Sequence, residues 1–193
     1  MKSKYLGYFS QKDLSSKPLS EMVVLIPSGI LKKPSRNCQS LDACVFLSFM
    51  ASLEASERSE CLIVAPPVYV FFSDPRVTEE LLAKCLIAAI ESLGNLGFSS
   101  FIIVALEDFS ENVARRVAKG LSRVKVIGPK TLGLHGERYV ALISGMWRED
   151  FSQAEDKCSA LFSSEDKRRG IRIWRTIVKE ILRRAESLMK HQE

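Results

Sequence analysis

Asp42, His135 and Glu137 could together supply three ligands of types that a divalent ion accepts, an imidazole and two carboxylates. The chain has two histidines, His135 and His191, and His191 stands third from the end. Imidazole chemistry therefore falls to His135, in the run Gly133-Leu134-His135-Gly136-Glu137, where flanking glycines allow a tight backbone path. Three such ligands could hold one ion, whereas a bridged pair of metals draws on more carboxylates and imidazoles than these. The expectation is no resident metal, with Asp42, His135 and Glu137 as the candidates for a single zinc or manganese. Glu107 and Asp108 form a second acidic pair behind an apolar, strand-like run, at the edge where open α/β sheets bind ligands. The same two carboxylates would also suit the first turn of a helix, where they meet its positive dipole end, and that reading is preferred. Cys38 lies in a polar loop near Arg36, but no general base accompanies it, so a thiolate nucleophile is not supported. Cys44, Cys61 and Cys85 sit in apolar runs and are expected to be small buried hydrophobes. No CxxC pair, GxGxxG or GxxxxGK[ST] occurs, which excludes the common zinc-finger and phosphate-cradling loops.

The elements that would position these groups alternate in type. Val23–Ile26, Cys61–Ala65, Phe101–Leu106, Val124–Ile127 and Tyr139–Ile143 read as strands, the first three too uniformly apolar for a sheet with one wet face. Between them Ser40–Leu53, Val77–Leu93 and Ser110–Leu121 read as helices, with Ser110 as an N-cap and Gly120 as a stop. Leu82, Leu86, Ala89 and Leu93 recur at helical spacing and give the second of these one apolar face. The pattern predicts a three-layer αβα sandwich around a mainly parallel central sheet, formed as a single domain over residues 1–193. A serine-rich polar stretch, 151–166, leads into a C-terminal amphipathic basic helix over 166–190. Ile171, Trp174, Ile177, Ile181 and Leu188 mark its apolar face.

The order of landmarks resembles the creatininase family of metal-dependent amidohydrolases. Met22–Asp42 is similar to the family's opening strand, Pro-x-Gly-Ser-x-Glu-Gln-His-Gly, with an aspartate about a dozen residues on. Cys61–Pro67 (CLIVAPP) looks like its second strand and Ala-Pro-Pro ending. Leu93–Val104 looks like its Gly-Phe corner and third strand, and Leu134–Gly145 like its His-Ala-Gly-x-x-Glu-Thr-Ser segment. The resemblance implies a creatininase-like fold with a pocket lined by Gly29, Lys32, Asp42, Pro66, Glu107, Asp108, His135, Gly136, Glu137 and Tyr139. It also implies that most metal ligands are gone. Lys32 and Pro34 stand at the family's glutamate and histidine, Ala105–Ser110 replaces its Asn-Gly-His-Gly-Gly-Asn, and Leu134 and Tyr139 stand at its later histidine and glutamate. Asp42 alone matches a ligand position. A non-catalytic subunit or small-molecule- or partner-binding module is expected; the alternative is an amidohydrolase acting on a cyclic amide or formamide through a rebuilt site. The resemblance further implies a homo-oligomer, or a hetero-oligomer with a catalytic relative, formed through apolar surface that includes Trp174 and the neighbouring isoleucines.

Of the 193 residues 46% are hydrophobic and 26% charged, which fits one soluble core. No apolar run reaches the roughly 20 residues that span a bilayer, and the N-terminus lacks a signal-like segment, so a cytoplasmic protein with no membrane partner is expected. Few asparagines and many lysines, arginines and glutamates lean towards a thermophilic source. Net charge is +5 and the pI near 9.0. The strongest basic feature is the C-terminal helix, with Arg168, Arg169, Arg172, Arg175, Lys179, Arg183 and Arg184 on its polar face. Glu165, Asp166, Glu180 and Glu186 interleave with them. A solvated helix face is therefore expected ahead of a nucleic-acid or other anionic-partner surface.

Overall fold

The computed structural model describes residues 4–31, 43–134, 143 and 163–190. Its centre is β1 (Val23–Leu31), nine residues of which eight are buried. Such a strand has no wet face, so it must lie inside a sheet covered on both sides. It pairs in parallel with β2 (Leu62–Val64), β3 (Val68–Phe71) and β4 (Ser100–Val104), and β4 pairs in parallel with β5 (Val124–Ile127).

β2 and β3 follow one another along β1, and the register steps by one residue between them: Leu25 lies opposite Val64, but Ser28 lies opposite Val68. The extra residue falls in Ala65-Pro66-Pro67. Neither proline has an N–H for the ladder, so the edge strand is interrupted there and resumes one residue out of step.

The two faces of the sheet carry separate cores. On one, Val23, Leu25, Leu62, Val64, Ile102, Val104 and Ile127 pack against α2 (Ala43–Glu57) and against α6 (Ser164–Met189), which follows the short α5 (Pro129–Leu132). On the other, Val24, Ile26, Ile63, Ile103 and Val126 pack against α3 (Pro75–Asn95) and α4 (Asp108–Ala118). A short helix, α1 (Gln11–Ser15), precedes the sheet. This is the expected αβα sandwich.

Some expectations from the sequence are corrected. The third strand ends at Val104, and Ala105 and Leu106 continue as buried extended chain. The next helix begins at Asp108, so Ser110 lies inside it and is not its cap. β3, whose four residues alternate valine with Tyr69 and Phe71, was not anticipated because the prolines mask its start. Tyr139–Ile143 lies outside the described residues except Ile143, which is buried and helical rather than extended. Cys44, Cys61 and Cys85 are free and half-buried, not fully enclosed.

α6 buries most of its apolar face: Gly170, Trp174, Ile177, Val178, Ile181, Ala185 and Leu188 are buried, while Ile171 and Ile173 are half-buried. Trp174 also donates its indole N–H to the Glu54 carboxylate of α2. Of the residues expected to mediate assembly, Trp174, Ile177 and Ile181 are buried in the intrachain core. No described helix is long and apolar enough to cross a membrane.

Candidate functional site

Because all paired strands are parallel, their carboxyl ends share one edge, and that edge collects several of the anticipated residues. Gly29 lies near the end of β1, Pro66 just beyond β2 and Glu107 just beyond β4. Asp108 is exposed in the first turn of α4. Lys32, Asp42, His135, Gly136, Glu137 and Tyr139 lie outside the described residues, as does Cys38.

Gly29 is set by the approach of α2. A Cβ built there would stand 2.7 Å from Val45 Cγ2 and 3.4 Å from the Val45 nitrogen, so any side chain would push α2 off the strand. The start of α2 is thereby held over the end of β1. One turn further, Ser48 ties α2 to β4. Its fully buried Oγ donates to the Cys44 carbonyl at 2.8 Å and accepts the Leu106 N–H at 3.2 Å, satisfying a backbone donor beyond the end of the strand.

The carboxylates at this edge hold backbone together. Glu107 is 7% exposed and accepts the Ser110 hydroxyl at 2.8 Å, across the first turn of α4. Glu111 has no exposed surface. It accepts the backbone N–H groups of Lys130 at 2.7 Å and Thr131 at 3.2 Å, the Thr131 hydroxyl at 3.0 Å and Arg115 Nε at 2.9 Å. A buried carboxylate is tolerable only with such charge-assisted donors. Ser28, also fully buried on β1, has an Oγ with no hydrogen-bond partner among the described residues.

Sequence reasoning missed Ser28, Ser48 and Glu111. Ser48 had a legible signal, a hydroxyl within an otherwise apolar helix face, whereas Glu111 resembles any first-turn acid until α5 folds against it. Among the described residues, no three His, Cys, Asp or Glu side chains are grouped so as to hold a metal ion. Among the described residues of the β4 end, Ala105 and Leu106 carry no side chain that could ligate a metal.

A parallel sheet sandwiched by α2 and α6 on one side and α3 and α4 on the other defines a three-layer α/β fold. That fold is creatininase-like. A creatininase point mutant of Zn-Zn type matches with a TM-score of 0.68 at 12% identity, covering 99% of both chains. A creatinine amidohydrolase (creatininase) structure matches with a TM-score of 0.66 at 13% identity, covering 99% of this chain and 98% of that one. A creatininase mutant complexed with creatine superposes less fully: TM-score 0.55, 15% identity, 77% of this chain against 65% of its own length. No family model matches the sequence, and no curated protein matches it. At these identities the likeness is one of fold.

Proposed function

We propose that this chain is a creatininase-like protein with a degenerate metal site, acting as a non-catalytic subunit or as a small-molecule- or partner-binding module. The observation that carries the reading is the state of the edge behind β4. There Ala105 and Leu106 are fully buried, Glu107 is bonded to Ser110, and Glu111 is committed to the start of α5. Carboxylates used in this way hold helices and leave the ion-facing role unfilled. The sequence adds Lys32 and Pro34 at positions where chelation needs an anion and an imidazole. An ammonium about 4 Å from an ion would be repelled by several kcal/mol at an intermediate effective dielectric.

Assembly with a second copy or with a catalytic relative belongs to the same proposal. Since most of the apolar face of α6 is buried, the contact would use other apolar surface. Tyr69 and Phe71, 50% and 69% exposed on β3, supply it.

Elemental analysis of the purified protein, before and after incubation with zinc and manganese, tests the reading together with an assay of creatinine hydrolysis. The expected result is no stoichiometric metal and no hydrolysis. One or more tightly held ions per chain, lost on Asp42→Ala, would overturn it in favour of an amidohydrolase with a site rebuilt from Asp42, His135 and Glu137.

A further inference from the structure

The polar face of α6 has a property that its composition hides. Between Lys167 and Lys179 lie six cations and no acid. Of the acids that interleave with the cations in sequence, two are bonded elsewhere. Asp166 closes the N-terminal capping box with Ser163, and Glu180 receives Arg183 and Arg184 at 2.6 and 2.8 Å. Glu165 and Glu186 lie outside the run. Within it, Arg168, Arg169, Arg172, Arg175 and Lys179 are all exposed and make no ion pair with any described residue. At about 100° per residue, Arg168, Arg172, Arg175 and Lys179 fall within about 60° of arc, and at about 1.5 Å rise they form a straight line about 16 Å long.

From this we propose that the outer face of α6 binds the phosphate backbone of nucleic acid without reading its sequence. Four cations in line at intervals of about 5–6 Å repeat on the scale of a phosphodiester chain, one strand of which advances about 3.4 Å per nucleotide along a duplex. Four of the five exposed cations are arginine, whose planar fork takes two phosphate oxygens at once where lysine offers a point charge. The helix is rigidly held, because Trp174, Ile177, Ile181 and Leu188 anchor its other side in the core. That anchoring also argues against a lipid surface. A helix that lies in a membrane interface inserts its apolar face, and the apolar face of α6 is already buried in the protein. No aromatic ring lies on the line of cations, so bases are not stacked and phosphate contacts alone set the affinity.

Fluorescence anisotropy of a labelled mixed-sequence duplex of about 25 base pairs, titrated with the full chain between about 50 and 200 mM salt, reads the expected behaviour. Four to five phosphate contacts give a slope of log K on log salt near −4, a loss of about two orders of magnitude over that range. The variant Arg168→Gln/Arg172→Gln/Arg175→Gln/Lys179→Gln, with unchanged circular dichroism, loses binding and most of the slope. Arg168→Lys/Arg172→Lys/Arg175→Lys keeps the slope. Lys12→Gln/Lys119→Gln, which removes exposed cations elsewhere, leaves both affinity and slope as in the wild type. No binding at the lowest salt, an unchanged slope in the four-site glutamine variant, or an equal loss in the Lys12/Lys119 control would each overturn the proposal. So would capture by phosphatidylserine vesicles without capture of the duplex.

Discussion

The Glu111 carboxylate of α4 accepts the Lys130 backbone N–H of α5 at 2.7 Å, so one helix caps the next from a distance of 19 residues. The need for it is local. α5 has four residues, and its N-cap is Gly128, which has no side chain to offer the free amide groups of the first turn. Gly128 is there because a Cβ would lie 2.6 Å from both the Ala105 carbonyl and the Glu111 carboxyl carbon. The chain thus gives up a side-chain cap to let β4, α4 and α5 converge, and Glu111 replaces it.

Removing that carboxylate should destabilise the whole carboxyl edge. Glu111→Ala takes the acceptor from the Lys130 and Thr131 N–H groups, a loss of about 1–3 kcal/mol on the scale of unsatisfied donors. Glu111→Gln keeps one oxygen and the volume and should lose about half as much. Urea denaturation reads both. An alanine variant with the wild-type midpoint would show that water replaces the carboxylate at no cost.

A second expectation isolates the contact of β1 with α2. Gly29→Ala places a methyl group 2.7 Å from Val45 Cγ2 and should cost about 1–3 kcal/mol, the usual range for overpacking. Val45→Ala removes that methyl at the price of a cavity. If the clash is the cause, the double variant is more stable than the sum of the single changes predicts, by about 1 kcal/mol or more in a double-mutant cycle. Strict additivity would place the strain of Gly29→Ala elsewhere in the strand.

Much of the fold was legible because it rests on local pattern. Val23–Ile26 and Phe101–Val104 are apolar on both faces, which only a covered parallel strand explains. Leu82, Leu86 and Leu93 are buried at the helical spacing that announced α3, although Ala89 is only half-buried. β3 was not legible, since Pro66 and Pro67 conceal a strand that resumes one residue out of register. The site was harder to read for a different reason. Glu107 and Asp108 were correctly preferred as the start of a helix. Ser48 and Glu111, however, acquire their roles only through partners 58 and 19 residues away, which no local spacing reveals. The pairing of the α6 charges was not legible for the same reason. Counted along the sequence its acids seem to neutralise it, but the folded helix draws Asp166 to Ser163 and Glu180 to Arg183 and Arg184.

Glu180 gives the last expectation, a dependence of stability on pH. The Arg183 guanidinium holds its carboxyl below the ordinary value; partial burial opposes this, and Arg184 adds to the lowering. A carboxyl lowered in the folded state contributes stability that is complete above its unfolded value, near 4.3, and is lost as pH falls through the lower folded value. Being near the surface, the group is worth less than about 1 kcal/mol. Glu180→Gln should therefore be slightly less stable than the wild type at pH 7, and the difference should close as the pH is lowered beyond about 4. Added salt should shrink it at neutral pH, because exposed pairs are screened. Thermal melts of the two proteins at pH 7, 5 and 3 decide the matter. A difference that persists undiminished at pH 3 would mean that the Glu180 side chain acts through packing against α6 and not through its charge.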